Sequence, residues 1–335
     1  MKIRIHSGLA YEALLALEVA HGAAPSGRFA HGAALMRRYN RLPASLRRRL
    51  ASVDAGLGVG WADLLGLVHT AAPPHGVPEL VERLKKLPPL ELKLSLLGYH
   101  DRTFRDGIGA ALFKEAAAGD RRARSRFKAR APQVREGLEV GPLVDLPPEE
   151  VAARATDGLA ALPPEIYVVD RKAPQVLARA AAQAAGLVRT LPAQAVITRL
   201  TRGIEAGRWA DVLLVPTAVH RPWTEISDYE RTKILCFPVS VADPSKGEPD
   251  PDLVALYRAL GDATRLRLLK RLAEGRASFG QLSHELGLAR STLHQHALIL
   301  RTAGLVRLHL DSGLELNPDR PALDRSLEEF LGSRS

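Results

Sequence analysis

Side chains that can hydrogen-bond nucleic-acid bases occur together in one short stretch near the C-terminus. Arg290, His294 and Gln295 lie within six positions of one another, with Ser291 and Thr292 between them. Arg can hydrogen-bond the O6 and N7 atoms of guanine with two N–H groups, and Gln can do the same for N6 and N7 of adenine. Ser291, Thr292 and the free backbone N–H groups of a helix start suit phosphate oxygens. The stretch therefore has the chemistry to contact DNA.

A helix must present these side chains. Leu293, Ala297 and Leu300 recur at i, i+4 and i+7 and predict the buried face of a helix over residues 290–303. The opposite face of its first two turns then carries Arg290, Ser291, His294 and Gln295 outward. Such a face fits the width of the major groove.

Elements on both sides of this helix follow from apolar spacing, capping residues and glycines. Ser278 and Gln281 have the spacing of a capping box, and Asp262 is placed to cap the preceding helix. Tyr257 and Leu266 are among the apolar side chains that we expect to face inward. The predicted elements are helices 253–260, 263–274, 278–286 and 319–331, and strands 305–310 and 314–317.

A helix, a turn with glycine at residues 287–289 and a second helix form a helix-turn-helix, and the strand pair closed at residues 311–313 adds a wing. Residues 251–335 are thus predicted to be a winged helix-turn-helix that binds double-stranded DNA. Arg301, Arg307 and His309 are expected close to the DNA backbone or the minor groove.

Three motifs in this order resemble the ArsR family of bacterial repressors. They are Gly-Asp-Ala-Thr-Arg-Leu-Arg-Leu-Leu at residues 261–269, Arg-Ser-Thr-Leu-His-Gln-His at residues 290–296 and Arg-Thr-Ala-Gly-Leu-Val at residues 301–306. The resemblance implies a homodimer, assembled through the first and last helices of the domain, that binds a palindromic operator and represses transcription. Its half-sites would lie about one helical turn apart or a multiple of it.

The metal-binding positions of the family are not matched. Ser278, Phe279 and Gly280 stand where metal-sensing members carry Cys-x-Cys, and residues 319–331 contain no histidine. His294 and His296 are two apart on a helix and point about 200° apart, so they cannot chelate one ion together. We therefore expect no metal and no cofactor.

The first 241 residues form a separate, mainly helical region, which a Pro-rich linker at residues 242–250 divides from the DNA-binding domain. Two apolar runs, 211–218 and 232–240, are interpreted as a hairpin, with residues 2–6 as a possible edge strand. The fold class is mainly α with small β elements. Predicted helices cover residues 9–20, 61–69, 77–87, 105–118, 149–161, 175–186 and 193–204.

Composition adds limits on function. The net charge is +10, but residues 251–335 carry only +2 of it. Basic clusters at residues 37–49 and 121–130 could be solvated helix faces or could touch phosphates beside the operator. The single Cys236 excludes an internal disulfide. No apolar run of membrane-spanning length and no signal peptide is visible, so we expect a cytoplasmic protein.

No catalytic motif is recognisable, and we expect no enzyme. The N-terminal region is interpreted as a part that dimerises or modulates DNA binding through an unknown effector, such as a small molecule, or a partner. Two alternatives remain open. The region could be a small-molecule enzyme coupled to DNA binding, or a protein-interaction platform without a ligand.

Overall fold

The chain forms two compact units in a computed structural model. The first comprises Met1–Gln183 and Ala210–Val239, and the second comprises Ala184–Trp209 and Ser240–Ser335. Residues 184–209, assigned to the N-terminal region from sequence, thus belong to the second unit. The residues that the structure describes are 1–22, 29–54, 60–71, 73–135, 138, 140–205, 207, 209–241, 251–309, 313–318 and 320. The predicted linker 242–250, the wing turn at 311–312 and, apart from Arg320, the predicted helix 319–331 lie outside them.

The first unit is mainly helical, and proline or glycine precedes many of its helices. Two short 3₁₀ segments, Ala62–Leu64 and Pro164–Ile166, accompany its α-helices. Among the described residues, no helix combines the length and apolarity needed to cross a bilayer. The helices are α1 (Leu9–His21), α2 (Gly32–Tyr39), α3 (Ala44–Ala51), α4 (Leu65–Thr70), α5 (Val77–Lys85), α6 (Pro89–Leu96), α7 (Arg102–Ile108), α8 (Ala110–Ala118), α9 (Arg121–Val134), α10 (Gly141–Asp145), α11 (Pro148–Ala160) and α12 (Ala173–Thr190), the last of which continues into the second unit.

Helix α1 lies at the centre of the first unit. Its side chains from Ala10 to Leu17 are all buried, because apolar residues occupy every side of the helix rather than one stripe. The exception in this stretch is Glu12, whose buried carboxyl accepts hydrogen bonds from the backbone N–H groups of Ala218 and Val219. The predicted helix 105–118 is instead two helices, since Gly109 has φ +96°, a conformation that ends α7 before α8 begins. Helix α9 was not predicted from the sequence, in which residues 121–130 stand out only as a basic cluster. Its buried residues are Ala123, Phe127 and Ala131, so its apolar face is too narrow to give a clear helical pattern.

A mixed four-stranded sheet completes this unit. Its strands are β1 (Lys2–Ile5), β3 (Asp211–Thr217), β4 (Glu225–Tyr229) and β5 (Thr232–Pro238), whereas β2 (Ile204–Glu205) lies in the second unit. The order of strands in the sheet is β1-β3-β5-β4. The edge strand expected at residues 2–6 is present as β1. The predicted hairpin of 211–218 with 232–240 is wrong, because β3 and β5 are parallel and β4 forms the hairpin with β5. Strands β3 and β5 are almost wholly buried, as parallel strands usually are.

Among its described residues, the second unit is built from five complete helices, the C-terminal part of α12 and a three-stranded sheet. Strand β2 pairs in parallel with β6 (Val306–His309), with Ile204 opposite Leu308, and β6 pairs antiparallel with β7 (Gly313–Leu316). The wing therefore has a third strand, supplied by a segment about 100 residues upstream. The elements of this unit are α13 (Ala193–Leu200), α14 (Pro251–Leu260), α15 (Ala263–Ala273), α16 (Phe279–Leu286), α17 (Arg290–Thr302), β6 (Val306–His309) and β7 (Gly313–Leu316), in addition to β2 and the C-terminal part of α12.

Two of the apolar side chains expected inside are exposed. Tyr257 of α14 is 42% exposed and Leu266 of α15 is 48% exposed, so both predictions of burial are wrong. Leu268 takes the buried position in α15 together with Leu272, because the helix presents a neighbouring stripe to the core. The buried face of α17, which comprises Leu293, Ala297 and Leu300, is as predicted.

Candidate nucleic-acid interface

Helices α16 and α17 form the predicted helix-turn-helix. The capping box that starts α16 is present: the backbone N–H of Gln281 donates to Oγ of Ser278 at 3.2 Å, and the backbone N–H of Ser278 donates to Oε1 of Gln281 at 2.9 Å. Gly287 ends α16 in the left-handed conformation, with φ +64°. Helix α17 then begins at Arg290, and Ala289 provides no side-chain cap. The first N–H groups of α17 thus have no side-chain acceptor from that position.

The outward face of α17 carries the five predicted contact residues. Arg290, Ser291, Thr292, His294 and Gln295 are all exposed, while the opposite face packs into the core. Exposed donors and acceptors in the first two turns are the arrangement that a recognition helix needs to reach base edges. The structure brings these side chains together as expected.

His294 has a neighbour that the sequence did not reveal. Its imidazole stacks on the ring of Phe279 in α16, with ring centroids 4.0 Å apart and an interplanar angle of 12°. The stack restricts the orientation of the imidazole while leaving the residue exposed. His296 is half-buried, and its Nδ1 lies 4.0 Å from Oδ1 of Asp262.

Arg301 does not have the exposure of a DNA contact. The residue is only 6% exposed, and burial lowers the pKa of its guanidinium to about 10. Its Nη1 donates to the carbonyl oxygen of Thr201 at 3.5 Å. Arg202 donates in turn to the carbonyl oxygen of Thr302 and to Asp252. Arg301, which we expected at the DNA backbone, instead contacts the segment after α13 and links it to the end of α17. Because the side chain is buried there, we no longer propose Arg301 as a DNA contact.

The wing residues are placed at the sheet but are paired within the protein. Arg307 donates to Oδ1 of Asn317 at 2.9 Å and to Oε1 of Glu205 at 3.4 Å. His309 Nε2 lies 3.1 Å from Oε1 of Glu315. Sequence reasoning missed Glu205, because no local pattern joins residues 205 and 307. Contact of Arg307 and His309 with DNA stays a prediction.

Some side chains of the two basic clusters make hydrogen bonds or ion pairs within the protein. Arg38 donates to the carbonyl oxygen of Glu165 at 2.9 Å, Lys128 pairs with Asp145 at 2.5 Å, and Arg130 donates to the carbonyl oxygen of Gly107 at 2.7 Å. The remaining charges in helix α9 include exposed arginines such as Arg122. These contacts favour a structural role for part of each cluster.

Helix, glycine-containing turn, helix and antiparallel strand pair define residues 279–316 as a winged helix-turn-helix. Residues 262–307 match the family model described as "Bacterial regulatory protein, arsR family". The segment is therefore an ArsR-type helix-turn-helix, as its sequence motifs implied.

Curated relatives match the same part of the chain. The HTH-type transcriptional regulators CmtR of Mycobacterium bovis and Mycobacterium tuberculosis are 48% identical over 54 residues, which cover 16% of this chain and 46% of the relative. The HTH-type transcriptional regulator Rv2034 of M. tuberculosis is 40% identical over 50 residues, 15% of this chain and 47% of the relative. The chain thus spans about half the length of the curated relatives it matches. No solved structure matches the chain.

Proposed function

We propose that this protein is a DNA-binding transcription regulator, specifically a repressor that reads a palindromic operator as a homodimer. The observation that carries the proposal is the outward face of α17, where Arg290, His294 and Gln295 are exposed on an ArsR-type helix-turn-helix. Ser291 and Thr292 supply hydroxyl groups for phosphates at the start of the same helix. Its wing would follow the adjacent DNA backbone.

The homodimer is supported by apolar exposure on the second unit. Tyr257 and Leu266 are exposed on α14 and α15, although both helices bury other apolar residues. Large exposed apolar side chains are common at interfaces, and Tyr is enriched there. A second copy of the chain with two-fold symmetry would cover this surface on both protomers and present two copies of α17 to two half-sites.

The first unit, in this proposal, modulates DNA binding through an effector or a partner, and the chain acts by binding rather than by catalysis. Because its proposed partner is chromosomal DNA, we place the protein in the cytoplasm. The homology to the named regulators is confined to the second unit, which is why the role of the first unit rests on this proposal alone.

Selection of bound sequences from a random pool of duplex DNA with the full-length chain tests the proposal. We expect an enriched palindrome. Arg290→Ala should weaken binding to it by about 5- to 150-fold, which corresponds to the loss of roughly 1 to 3 kcal/mol for one bidentate contact, and should relax base preference at one position per half-site. Arg171→Ala is the matched control, because Arg171 is an exposed arginine of the first unit, outside the basic clusters.

Failure to enrich any sequence would contradict the proposal. An equal loss with Arg290→Ala on every sequence would make Arg290 a phosphate contact and move base reading to other side chains. An enriched site without two-fold symmetry would contradict the homodimer.

A further inference from the structure

A polar cluster of one buried histidine and two half-buried glutamates lies in the first unit. Glu18 of α1, His220 in the segment after β3 and Glu225 at the start of β4 direct donor atoms toward one another. Nε2 of His220 lies 3.9 Å from Oε2 of Glu18 and 3.8 Å from Oε2 of Glu225. All three donor atoms lie within 4.8 Å of one another.

These separations are too long for hydrogen bonds but close to those of ligands around one ion. Metal bonds of about 2.1 Å place the ligand atoms of a tetrahedral site about 3.4 Å apart. The imidazole therefore needs to approach each carboxylate by only about half an ångström to reach that geometry. Three separate elements supply the three ligands, which fixes their positions more firmly than neighbouring residues on one loop would.

Two buried atoms of the cluster, Oε2 of Glu18 and Nδ1 of His220, make no hydrogen bond among the described residues. The backbone supplies partners elsewhere in the cluster, from Trp223 to His220 and from Ile226 to Glu225. His220 is only 5% exposed, and the ring of Phe29 packs on it with centroids 5.0 Å apart. Buried polar atoms in proteins are nearly always satisfied by protein, water or an ion.

Other acidic side chains lie near the cluster. Asp54 and Asp63, together with Glu225, act on the carboxyl of Glu18. Arg135 acts on Glu225 as a cation, and its guanidinium also pairs with Asp101 at 2.8 Å. A divalent cation would stabilise the charged form of carboxyls in this environment.

We propose that Glu18, His220 and Glu225 bind one divalent first-row transition metal ion, such as Zn²⁺ or Mn²⁺. One imidazole and two carboxylates suit these ions better than Mg²⁺ or Ca²⁺, which take oxygen ligands. With three protein ligands, the ion keeps at least one position open for water or another ligand. This site departs from the sequence-based expectation that the chain binds no metal.

Calorimetric titration of the chelator-treated, full-length chain with Zn²⁺ and with Mn²⁺ tests the site. We expect one ion per chain, and Glu18→Gln and Glu225→Gln should each weaken binding about 100-fold or more. Glu230→Gln is the matched control, because Glu230 follows the same strand but lies outside the cluster and pairs with His100. Its affinity for the ion should equal that of the wild type.

Absence of stoichiometric binding would overturn the proposal, and so would variants that bind as tightly as Glu230→Gln. If circular dichroism shows that the two cluster variants do not fold, pulsed electron paramagnetic resonance of the Mn²⁺-loaded wild type decides. One coordinated imidazole nitrogen supports the site, and no nitrogen coupling overturns it. The assay contains no DNA, so its result is independent of the proposed regulatory function.

Discussion

Nη1 of Arg307 in the wing lies 3.4 Å from Oε1 of Glu205, a residue of the strand that pairs alongside the wing. Glu205 also accepts a hydrogen bond from Gln194 at 2.7 Å, which holds its carboxylate in place. The arginine that would approach a DNA phosphate is therefore already paired with an anion of its own chain. A phosphate and Glu205 compete for the same guanidinium.

Glu205→Gln tests this competition. The substitution removes the anion and keeps the shape, so we expect operator affinity to rise a few-fold. Because one more cation becomes available to phosphate, the slope of log affinity against log salt should become steeper by up to about one. Fluorescence anisotropy at several salt concentrations measures both quantities.

Glu274→Gln is a suitable control, since Glu274 is an exposed carboxylate at the end of α15 and its loss changes the net charge equally. The same rise in affinity with both variants would mean that net charge alone is responsible. Unchanged affinity with Glu205→Gln would show that Arg307 does not contact DNA.

For Arg301 we expect an effect on stability rather than on DNA binding. Because its side chain is buried at the end of α17, Arg301→Ala should destabilise the second unit by roughly 2 to 4 kcal/mol, as truncation of a large buried side chain does. Base preference in the DNA selection should stay unchanged. Differential scanning calorimetry and the selection together separate the two effects.

Arg301→Met is the companion variant, because Met fills most of the same volume without the charge. It should retain more stability than the Ala variant and the same base preference. A tenfold loss of operator affinity with an unchanged melting temperature would restore Arg301 as a DNA contact.

Local patterns in the sequence were sufficient for the helix-turn-helix. The period of Leu293, Ala297 and Leu300 fixes which side of α17 faces the core, and a capping box marks the start of α16. Both signals act within one turn or two. The exposed face of the candidate interface follows from them without knowledge of the rest of the fold.

Pairings between distant segments were not visible in the same way. Strands β3 and β5 are apolar runs whose parallel pairing depends on the intervening β4, and Arg301 meets Thr201 from 100 positions upstream. The cluster of Glu18, His220 and Glu225 likewise spans more than 200 residues. No periodicity or motif spacing encodes such contacts, which arise only when the tertiary structure brings the segments together.

The exposed Tyr257 of α14 provides a test of the homodimer. Tyr257→Glu places a charge on the proposed interface, and its desolvation should shift the chain toward monomer by tenfold or more in dissociation constant. Operator affinity should fall with it, because two half-sites must be bound together. Analytical ultracentrifugation over a concentration series measures the shift.

Arg258→Glu is the control, because Arg258 is exposed on the same helix as Tyr257 and the substitution changes the charge without removing an aromatic group. It should shift the monomer–dimer equilibrium less than Tyr257→Glu does. If the wild type is monomeric at all concentrations and still binds a palindrome, the homodimer assembles only on DNA. If it is monomeric and binds one half-site, the proposal of a dimer is wrong.

Three histidines in contact give the first unit a pH dependence. The rings of His6 and His75 are stacked with centroids 4.6 Å apart, and that of His69 is 5.1 Å from His6. Burial and, to a smaller extent, the charges of His75, His69 and Arg4 together lower the pKa of His6 to about 4. Burial also lowers the pKa of His69 and of His75. Among the described residues, Tyr11 and Glu79 are further titratable groups that act on the cluster: Tyr11 is hydrogen-bonded to His6 at 3.2 Å, and Glu79 opposes the shift at His75.

The sign of the effect follows from the proton balance. Since an unfolded histidine has a pKa near 6.5, the unfolded chain binds more protons than the folded chain between about pH 6.5 and pH 4. The stability that neutral His6 supports is complete above about pH 6.5 and is lost as the pH falls toward 4.

His6→Gln removes this titration, so its melting temperature should fall less than that of the wild type between pH 7 and pH 5. His284→Gln, at an exposed histidine of the second unit, should leave the wild-type dependence intact. Parallel curves for the wild type and His6→Gln would show that other buried groups, such as His21 with a pKa lowered to about 4 by burial, carry the acid sensitivity.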